Sequence, residues 1–552
     1  MYQQVFDPVG DSLAASAVFA VLPLLTLFVL LGGLRVKAVI AAPIALLVAV
    51  VVAILVYDMP VGQTLLGATE GAAFGFFPIL WIVIAAIWVY NLTEATGHFA
   101  VLRRSFGRIS SDQRVQAVVV AFAFGALIEG LAGFGAPVAI TSVVLVGLGF
   151  TPVKAAALAL IGNTAPVAFG SIAVPIITLG ELTGISSDDL GAQVGRQTPF
   201  LALFVPFILI AVVDGRRGLK ECWPVALVAG LTFALGQFIC SHYISVELTD
   251  IIAALVCTGV LLLFLRAYTP VNSVPTGRAP RPSIAGASAA DPAFEAMVRR
   301  RDQEHDSGRD VAEALAPYAI IVAVFALAQL GPIKDFLAEI GTEFGWPGLD
   351  VRNPDGDLVS NVTYKLNIGS TAGTLMFLCG LITMAVLRIK PGVALQTLGR
   401  TLRQLAPAIG TVMAVLALAY VMNLSGQTVT LGLWLAGAGG FFAFLSPIVG
   451  WLGVAVTGSD TSSNALFGAL QVAAAKDAGI SPTLLAAANS SGGVLGKMIS
   501  PQNLAIGAAA VGMAGKEGDL FRKVVGWSLV MLLGMAALVY LQSTVFEFFI
   551  VE

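Results

Sequence analysis

Apolar runs of about 20 residues recur along the whole chain, the first three at roughly 13 to 33, 36 to 56 and 72 to 95. As a helix, each run is long enough to cross the ~30 Å hydrocarbon core of a bilayer. Only 11% of the 552 residues are charged, whereas a soluble protein has about 25%. Because so few charges cannot cover a water-facing surface, we predict an integral, multi-pass membrane protein with the lipid bilayer as its partner.

The apolar pattern predicts an all-α fold with about 12 transmembrane helices. After the first three, single spans are predicted at 153–178, 199–213, 222–244, 248–266, 314–333, 371–387, 404–424, 482–510 and 522–546. Their boundaries follow hydropathy alone.

Basic residues in the short loops predict the orientation, because cytoplasmic loops are enriched in Lys and Arg. The basic clusters are Arg35 and Lys37; Arg103, Arg104, Arg108 and Arg114; Arg216, Arg217 and Lys220; Arg388, Lys390, Arg400 and Arg403; and Lys516, Arg522 and Lys523. Basic-poor loops between them are predicted to carry Asp58, Glu70, Glu181, Asp188, Asp189, Glu247 and Asp250. This alternation predicts that both termini lie outside.

Several function classes lack support in the sequence. A net charge of −3 without a long basic block argues against a nucleic-acid partner. The four cysteines form no CxxC pair and the three histidines no cluster, so we expect no metal and no cofactor. Gly492–Met498 lacks the Ser or Thr of a phosphate loop, and no Ser-His or Asp-Asp set lies near the polar segments. We therefore predict that the chain is not an enzyme.

Two apolar stretches do not fit as simple spans. Residues 115–148 are too long for one helix and are interrupted at Gly130–Pro137; non-helical backbone at membrane depth is tolerated only inside protein or beside a water-filled cavity. Residues 443–475 enclose the polar segment Thr457–Asn464. We interpret both as re-entrant hairpins, the first entering from inside and the second from outside. For the second, a surface loop between two ordinary spans is the alternative.

Each hairpin precedes an interrupted span. Span 153–178 contains Asn163–Pro166, and span 482–510 contains Asn489–Gly493. Setting Asn163 against Asn489 also aligns Thr164 with Ser490, Gly170 with Gly496 and Pro175 with Pro501 without a gap. Because the two segments are predicted to run in opposite directions, we predict an inverted-topology repeat, in which broken helices surround a site near the bilayer midplane.

The predicted organisation has four parts. The first repeat spans 13–213, with hairpin 115–148, broken span 153–178 and span 199–213. Two connecting spans occupy 222–266, a cytoplasmic linker of mixed charge occupies 268–312, and the second repeat spans 314–546, with hairpin 443–475 and broken span 482–510.

The breaks carry the candidate chemistry. Glu129, Asp460 and Lys497 are ionisable residues inside predicted membrane segments, which are functional candidates because their burial is costly. The alternatives are a structural ion pair for Glu129, a helix cap for Asp460 and charge neutralisation for Lys497. The remaining candidates offer backbone N–H groups or neutral hydrogen-bonding side chains: Gly133, Gly135, Ala136, Pro137, Asn163, Thr164, Ser459, Thr461, Ser462, Ser463, Asn464, Asn489, Ser490 and Ser491. Such a site suits a small carboxylate with a hydroxyl group.

These same segments resemble the lactate permease family of bacterial secondary transporters. The resemblance lies in Ile128–Ile140, Gly162–Gly170, Gly458–Gly468 and Asn489–Gln502. It implies proton-coupled uptake of L-lactate, D-lactate or glycolate across the bacterial cytoplasmic membrane. It also implies a transport domain that moves elevator-fashion against a scaffold, often in a homodimer.

The predicted mechanism is symport of a 2-hydroxymonocarboxylate with protons. Asp460 or Glu129 exchanges the proton, with a slight preference for Asp460, and Lys497 pairs first with that carboxylate and then with the substrate. A sodium-coupled carboxylate symporter that uses the Asn163 and Asn489 breaks is the alternative, and an anion channel is a third interpretation.

Overall fold

The computed structural model describes residues 1–34, 36–133, 135–270, 274, 306–328, 330–359, 362–513 and 515–551, and it is mostly helical. Within these residues, ten helices are long and apolar enough to cross a membrane, and a bent pair counts as an eleventh span. The linker predicted at 268–312 lies largely outside the described residues. A mostly helical, polytopic fold is confirmed, with short strands that the prediction did not include, whereas the predicted number of twelve spans stays a prediction.

The N-terminal half contains a short strand and a succession of helices. The strand is Tyr2–Gln3, and the α-helices are Leu13–Ala20, Leu22–Phe28, Ala38–Leu55, Val61–Phe74, Trp81–Ala95, His98–Gly107, Gln113–Gln116, Gly125–Ala132, Ala136–Gly147, Pro152–Gly162, Gly170–Thr183, Ser187–Val194, Thr198–Tyr243 and Thr249–Ala267. Wider π-helical turns occupy Val29–Gly33, Gly75–Leu80 and Ala117–Phe124, and Val167–Phe169 is a 3₁₀ turn.

The C-terminal half repeats long helices with interruptions. Its α-helices are Gly308–Ala328, Gly331–Glu339, Ala372–Val386, Pro391–Ser425, Gln427–Ala436, Phe442–Thr457, Asp460–Asp477, Pro482–Gly496, Pro501–Ala510 and Glu517–Gln542. Gly439–Phe441, Lys497–Ile499 and Glu547–Phe549 are 3₁₀ turns, and the strands are Thr342–Gly345, Val351–Arg352 and Thr363–Leu366.

Both predicted hairpins are helix–break–helix units. The first hairpin consists of Gln113–Ala132 and Ala136–Gly147, and the second consists of Phe442–Thr457 and Asp460–Asp477. The two arms of each unit pack against each other. Their entry into the membrane from opposite sides stays a prediction.

The first predicted broken span is interrupted at the expected residues, whereas the second is helical through Asn489–Gly493 and is interrupted only between Gly496 and Pro501. In the first broken helix, Pro152–Gly162 and Val167–Thr183 meet at a bend of 67°. In the second broken helix, the 3₁₀ turn Lys497–Ile499 separates Pro482–Gly496 from Pro501–Ala510. Proline at the start of a helix lacks only an N–H that would have no helical partner, which is why Pro152, Pro482 and Pro501 begin these segments.

The hairpins and broken helices form one packed centre. Helix Asp460–Asp477 of the second hairpin packs against both broken helices, and Pro501–Ala510 packs against the first hairpin. Segments from the two halves of the sequence therefore interlock, and the break of each helix faces inward.

A second group of helices lies beside this centre. Pro391–Ser425 packs along Ala38–Leu55 and Val61–Phe74, and Ala372–Val386 packs along Trp81–Ala95. Strand Tyr2–Gln3 pairs in parallel with Val351–Arg352. The N terminus therefore lies on the same face as the segment between predicted spans 314–333 and 371–387. That shared face is predicted to be outside.

Besides Asp188 and Asp189 in the short helix Ser187–Val194, three acidic residues predicted in loops lie in helices. Glu70 belongs to Val61–Phe74, Glu181 to Gly170–Thr183 and Asp250 to Thr249–Ala267, and Glu70 and Asp250 are buried. The loop assignment was wrong because each acid lies at the edge of an apolar run, where hydropathy ends before the helix does. Predicted spans 199–213 and 222–244 form the two arms of the helical segment Thr198–Tyr243, which are separated by non-helical backbone at Asp214 and Gly215.

Candidate functional site

The tip of the second hairpin positions Asp460 in the first turn of a helix. Gly458 adopts a left-handed conformation (φ +78°) that reverses the chain. The Ser459 hydroxyl then accepts a hydrogen bond from the Ser462 backbone N–H at 3.2 Å, which is the usual capping contact of a serine before a helix. The side chain of Asp460 is consequently fixed at a helix N terminus inside the protein.

The break in the second broken helix positions Lys497. The helix ends at Gly496, and a Cβ there would overlap the backbone oxygen of Trp451 on the second hairpin. After the short 3₁₀ turn, the Ser500 hydroxyl accepts a hydrogen bond from the Asn503 N–H at 3.4 Å and starts the next helix. Lys497 is therefore held in the turn, with its side chain 9% exposed.

Glycines let the first hairpin approach the first broken helix closely. Gly133 is left-handed (φ +45°), and a Cβ on it would overlap the Ser171 hydroxyl. A Cβ on Gly170 would lie 2.7 Å from Oε1 of Glu129. The absence of side chains at these glycines brings Glu129 against the first break.

Three consecutive residues after the first break have left-handed backbone. Ser171, Ile172 and Ala173 have φ of 49°, 60° and 56°. For residues with a Cβ this conformation costs roughly 1–2 kcal/mol each, and such residues cluster at functional sites. A left-handed turn leaves no signal in the sequence, and Ser171 was accordingly not predicted as a site residue.

A cavity lies where the two breaks and the second hairpin tip meet. It holds about 410 Å³ of space, its open mouth included, and it is lined by Glu129, Val167, Gly170, Ser171, Pro175, Gly458, Ser459, Asp460, Thr461, Lys497 and Gln502. Five predicted site residues are thus brought together: Glu129, Ser459, Asp460, Thr461 and Lys497. Lys497 is the one basic residue among these lining residues.

Lys497 and Glu129 form a buried ion pair at this cavity. Nζ of Lys497 donates to Oε1 of Glu129 at 2.6 Å, and the Glu129 side chain is 3% exposed. Its other oxygen, Oε2, has no hydrogen-bond partner among the described residues. A buried pair of this kind is strongly destabilised when one partner is removed, because the other charge is left uncompensated.

Asp460 is held by a serine instead of the lysine. The Ser490 hydroxyl donates to Oδ2 of Asp460 at 2.5 Å, while Oδ1 has no partner within the described chain. Lys497 pairs with Glu129 in this conformation, and the slight preference for Asp460 as the residue that exchanges the proton stays a prediction. The sequence gives no distance between Lys497 and either carboxylate, which is why the pairing could not be chosen from it.

Two predicted asparagines bind each other. Nδ2 of Asn489 donates to Oδ1 of Asn464 at 2.9 Å, and Nδ2 of Asn464 donates to the backbone oxygen of Pro175 at 3.1 Å. Gln471 donates to Oδ1 of Asn489 at 3.2 Å. This buried chain connects the second hairpin to both broken helices, so these amides hold the site together in this structure.

The other polar candidates differ in how far they are already bonded. Ser463 donates to the backbone oxygen of Gly450 at 3.2 Å and Thr164 to that of Ile161 at 2.7 Å. Both side-chain atoms of Asn163 and the hydroxyl of Ser491 are buried without a partner among the described residues. Asn163 and Ser491 therefore retain unused hydrogen-bonding capacity.

The tip of the first hairpin borders a separate cavity. Gly133, Gly135 and Ala136 line it together with Asn91, Gln404 and Gln502, among others, and Pro137 is buried in the first turn that follows. The structure does not place these four residues on the cavity of Glu129 and Lys497. Gln502, which borders both cavities, was missed as a site residue although it directly follows Pro501.

Many apolar helices, two broken helices and a buried charged cavity between them define a polytopic membrane transporter. A family model described as L-lactate permease matches residues 16–546. The chain belongs to the L-lactate permease family.

Relatives align along the whole chain. It is 43% identical to the L-lactate permeases of Salmonella typhimurium strain LT2 and Escherichia coli strain K12, over 564 residues that cover 100% of both chains in each comparison. It is 42% identical to the glycolate permease GlcA of Escherichia coli strain K12, covering 99% of this chain and 98% of that one. The crystal structure of the Alcanivorax borkumensis YdaH transporter aligns over 86% of each chain, at 16% identity and a TM-score of 0.42.

Proposed function

We propose that this protein is a symporter that carries a small 2-hydroxymonocarboxylate, L-lactate, D-lactate or glycolate, together with protons into the cell across the bacterial cytoplasmic membrane. The proposal rests on the 2.6 Å contact between Lys497 and Glu129, on the wall of the cavity where the two helix breaks and the second hairpin tip meet. Lys497 supplies the cation that an organic anion needs, and Glu129 is a carboxylate that loses its partner when that anion binds.

The exchange of partners on Lys497 couples substrate to proton. In the empty site, Nζ of Lys497 is bonded to the Glu129 carboxylate. The substrate carboxylate replaces Glu129 on Nζ, and Glu129 is left buried without a cation. Because an unpaired buried charge is costly, Glu129 takes up a proton from the aqueous cavity. One negative and one positive charge enter together, so the loaded site moves without a change in charge.

Asp460 is the second carboxylate that can carry the proton. It lines the same cavity and lacks a cationic partner in the described structure. Ser459 and Thr461 line the cavity and would supply hydroxyl groups for the substrate, with Ser462, Ser490 and Ser491 as further candidates. The paired permease names of the relatives, L-lactate and glycolate, support a substrate with both a carboxylate and a 2-hydroxyl group.

The transport movement follows from the same arrangement. The hairpins and broken helices would form the moving domain, and the helices around Pro391–Ser425 would form the scaffold of an elevator, with two copies of the chain forming a homodimer. The two inverted repeats and their boundaries belong to this proposal. No cofactor enters the cycle.

Sodium coupling is the second candidate, and Asn163 is the observation that favours it. Its amide oxygen is buried at a helix break without a partner among the described residues, and exposed carbonyls at such breaks coordinate Na⁺ in other transporters. Asn489 is less suited to this role because both ends of its amide are already bonded. An anion channel would conduct without uphill accumulation.

Uptake of labelled L-lactate into proteoliposomes tests the proposal. The protein is given an inward proton gradient without sodium, and separately a sodium gradient at equal pH. Uphill uptake in the first condition alone is expected. Uptake that requires sodium would transfer coupling to the Asn163 break, conductance without accumulation would identify a channel, and no uptake with either gradient would overturn the substrate class.

A further inference from the structure

Asp250 is a buried carboxylate that does not line the cavity of Glu129 and Lys497. It lies in the first turn of helix Thr249–Ala267 and is 0% exposed. Nε2 of Gln237 donates to its Oδ1 at 3.0 Å, and Oδ2 has no partner among the described residues. A helix N terminus favours a carboxylate, but this does not account for a fully buried oxygen left unbonded.

Asp250 lies against Gly130, the residue that follows Glu129. Helix Thr249–Ala267 packs against the arm of the first hairpin that carries Glu129, and a Cβ on Gly130, the next residue, would lie 3.3 Å from Cβ of Asp250. Gly130 is therefore needed for this approach and does not face the ligand cavity.

The same group of contacts includes the first break. Besides Asp250, Nε2 of Gln237 also donates to the backbone oxygen of Ala165 at 3.1 Å. The charged or titratable groups that act on Asp250 are Glu129 on the first hairpin, Lys497 in the second break and the Cys240 thiol on the neighbouring helix. Lys497 is the single cation among them.

The number of charges determines what happens when an anion binds. While the site is empty, Lys497 is bonded to Glu129 and acts on Asp250 only at longer range. Once a substrate carboxylate takes Lys497, Glu129 and Asp250 are left as neighbouring carboxylates without a cation of their own. Two close carboxylates do not both remain ionised, and such a pair takes up protons as a unit.

We infer that Glu129 and Asp250 form a carboxylate pair that captures the co-transported proton when the substrate occupies Lys497. This inference rests on the proposed function and extends it, because it assigns the proton partly to a residue outside the substrate cavity. The proton comes from the aqueous cavity and adds to one carboxylate oxygen of the pair. The pair then holds a single negative charge, and the charges of substrate and proton cancel.

Proton uptake on substrate binding tests the pair directly. L-lactate is added to the detergent-solubilised full-length protein at pH 7 in weak buffer with a pH-indicator dye, and bound lactate is measured in parallel. Asp250→Asn is expected to take up fewer protons per bound lactate, by up to about threefold, because Glu129 no longer has a like charge beside it; half a pKa unit changes proton affinity by about this factor. In proteoliposomes the same variant should lose about tenfold of its proton-driven accumulation, while lactate counterflow stays within about threefold of wild type.

Glu247→Gln is the matched control. Glu247 lies three positions before Asp250, is only half-buried and accepts a hydrogen bond from Ser245 at 2.6 Å. The Glu247→Gln variant loses one negative charge near the same helix end, as Asp250→Asn does, and should leave proton uptake unchanged.

Each outcome decides a separate statement. Normal proton uptake and accumulation in Asp250→Asn would overturn the pair and leave Asp250 as a structural residue. Loss of counterflow together with accumulation would assign Asp250 to folding or substrate binding and would overturn the pair as well. If the wild-type protein transports lactate but takes up no proton on binding it, the proposed proton coupling itself fails, whatever Asp250 does.

Discussion

Nζ of Lys497 lies 2.6 Å from Oε1 of Glu129, although the two residues are 368 positions apart in the chain. The lysine comes from the break of the second broken helix and the glutamate from the first hairpin. A single ion pair thus links the two halves at the cavity wall, and any anion that binds Lys497 competes with this link.

Breaking the ion pair should destabilise the protein more than removing it entirely. Lys497→Met leaves Glu129 buried without a cation, at a cost of about 3–5 kcal/mol. In the double variant Lys497→Met with Glu129→Gln, no charge is left uncompensated, so most of this loss should be recovered. Thermal unfolding in detergent measures both. Equal melting temperatures for the single and double variants would show that the pair contributes no coupling energy.

Neither of these variants should accumulate lactate, because both lack the cation for the substrate carboxylate. The recovery of stability in the double variant without recovery of transport separates the two roles of Lys497. Transport by the double variant would contradict the proposed position of the substrate carboxylate.

Neutral variants of the two cavity carboxylates should differ in lactate affinity. Glu129→Gln removes the competitor for Lys497, so the KM for lactate counterflow is expected to fall about tenfold, equal to ~1.4 kcal/mol, while proton-driven accumulation is lost. Asp460→Asn keeps the 2.5 Å contact with Ser490 and should leave this KM within about threefold, or 0.7 kcal/mol. If Asp460→Asn alone abolishes accumulation and Glu129→Gln does not, the proton belongs to Asp460.

The sequence was informative wherever composition departs from an apolar background. Glu129, Asp460 and Lys497 stand out because ionisable residues are rare inside apolar segments, and the structure brings all three to one cavity. The helix breaks were equally visible, since Gly, Pro and polar residues interrupt long apolar runs there. These signals are local, and each concerns one segment.

What the sequence did not reveal depends on distances between segments or on backbone angles. Asp250 was predicted in a loop because it lies at the edge of an apolar run, and only the packing of its helix places it beside Gly130. The left-handed conformation of Ser171 has no compositional marker. The choice between Glu129 and Asp460 as partner of Lys497 likewise depends on tertiary packing.

Glycines in the second broken helix should tolerate alanine poorly. A Cβ on Gly492 would overlap the backbone of Pro447 in the second hairpin, and backbone cannot move aside as a side chain does. Gly492→Ala is therefore expected to lower the free energy of unfolding by about 1–3 kcal/mol. Gly526→Ala is the control, because no atom lies within 4 Å of its Cβ position; its stability should be unchanged or up to about 1 kcal/mol higher. Equal thermal stability of both variants would contradict the close packing of these helices.

Two asparagines, one in each broken helix, should separate stability from transport. Asn489 makes two side-chain hydrogen bonds, to Asn464 and from Gln471, at 2.9 and 3.2 Å. Asn489→Ala leaves the buried Asn464 oxygen without its donor, which costs about 1–3 kcal/mol, so its melting temperature should fall; Gln471 still donates to the backbone oxygen of Ser446.

Asn163 is also buried, but its amide makes no hydrogen bond to the described residues. Replacing a polar group that has no protein partner loses no bond, so Asn163→Ala should keep or raise the melting temperature. It should reduce lactate counterflow if the amide binds the substrate or an ion. Thermal unfolding and counterflow are measured on the same preparations. If Asn163→Ala unfolds at lower temperature than Asn489→Ala, or transports lactate normally, the Asn163 amide is not part of the binding site. If its counterflow falls only when sodium is present, the amide belongs to a sodium site, and the proton no longer accounts for all of the coupling.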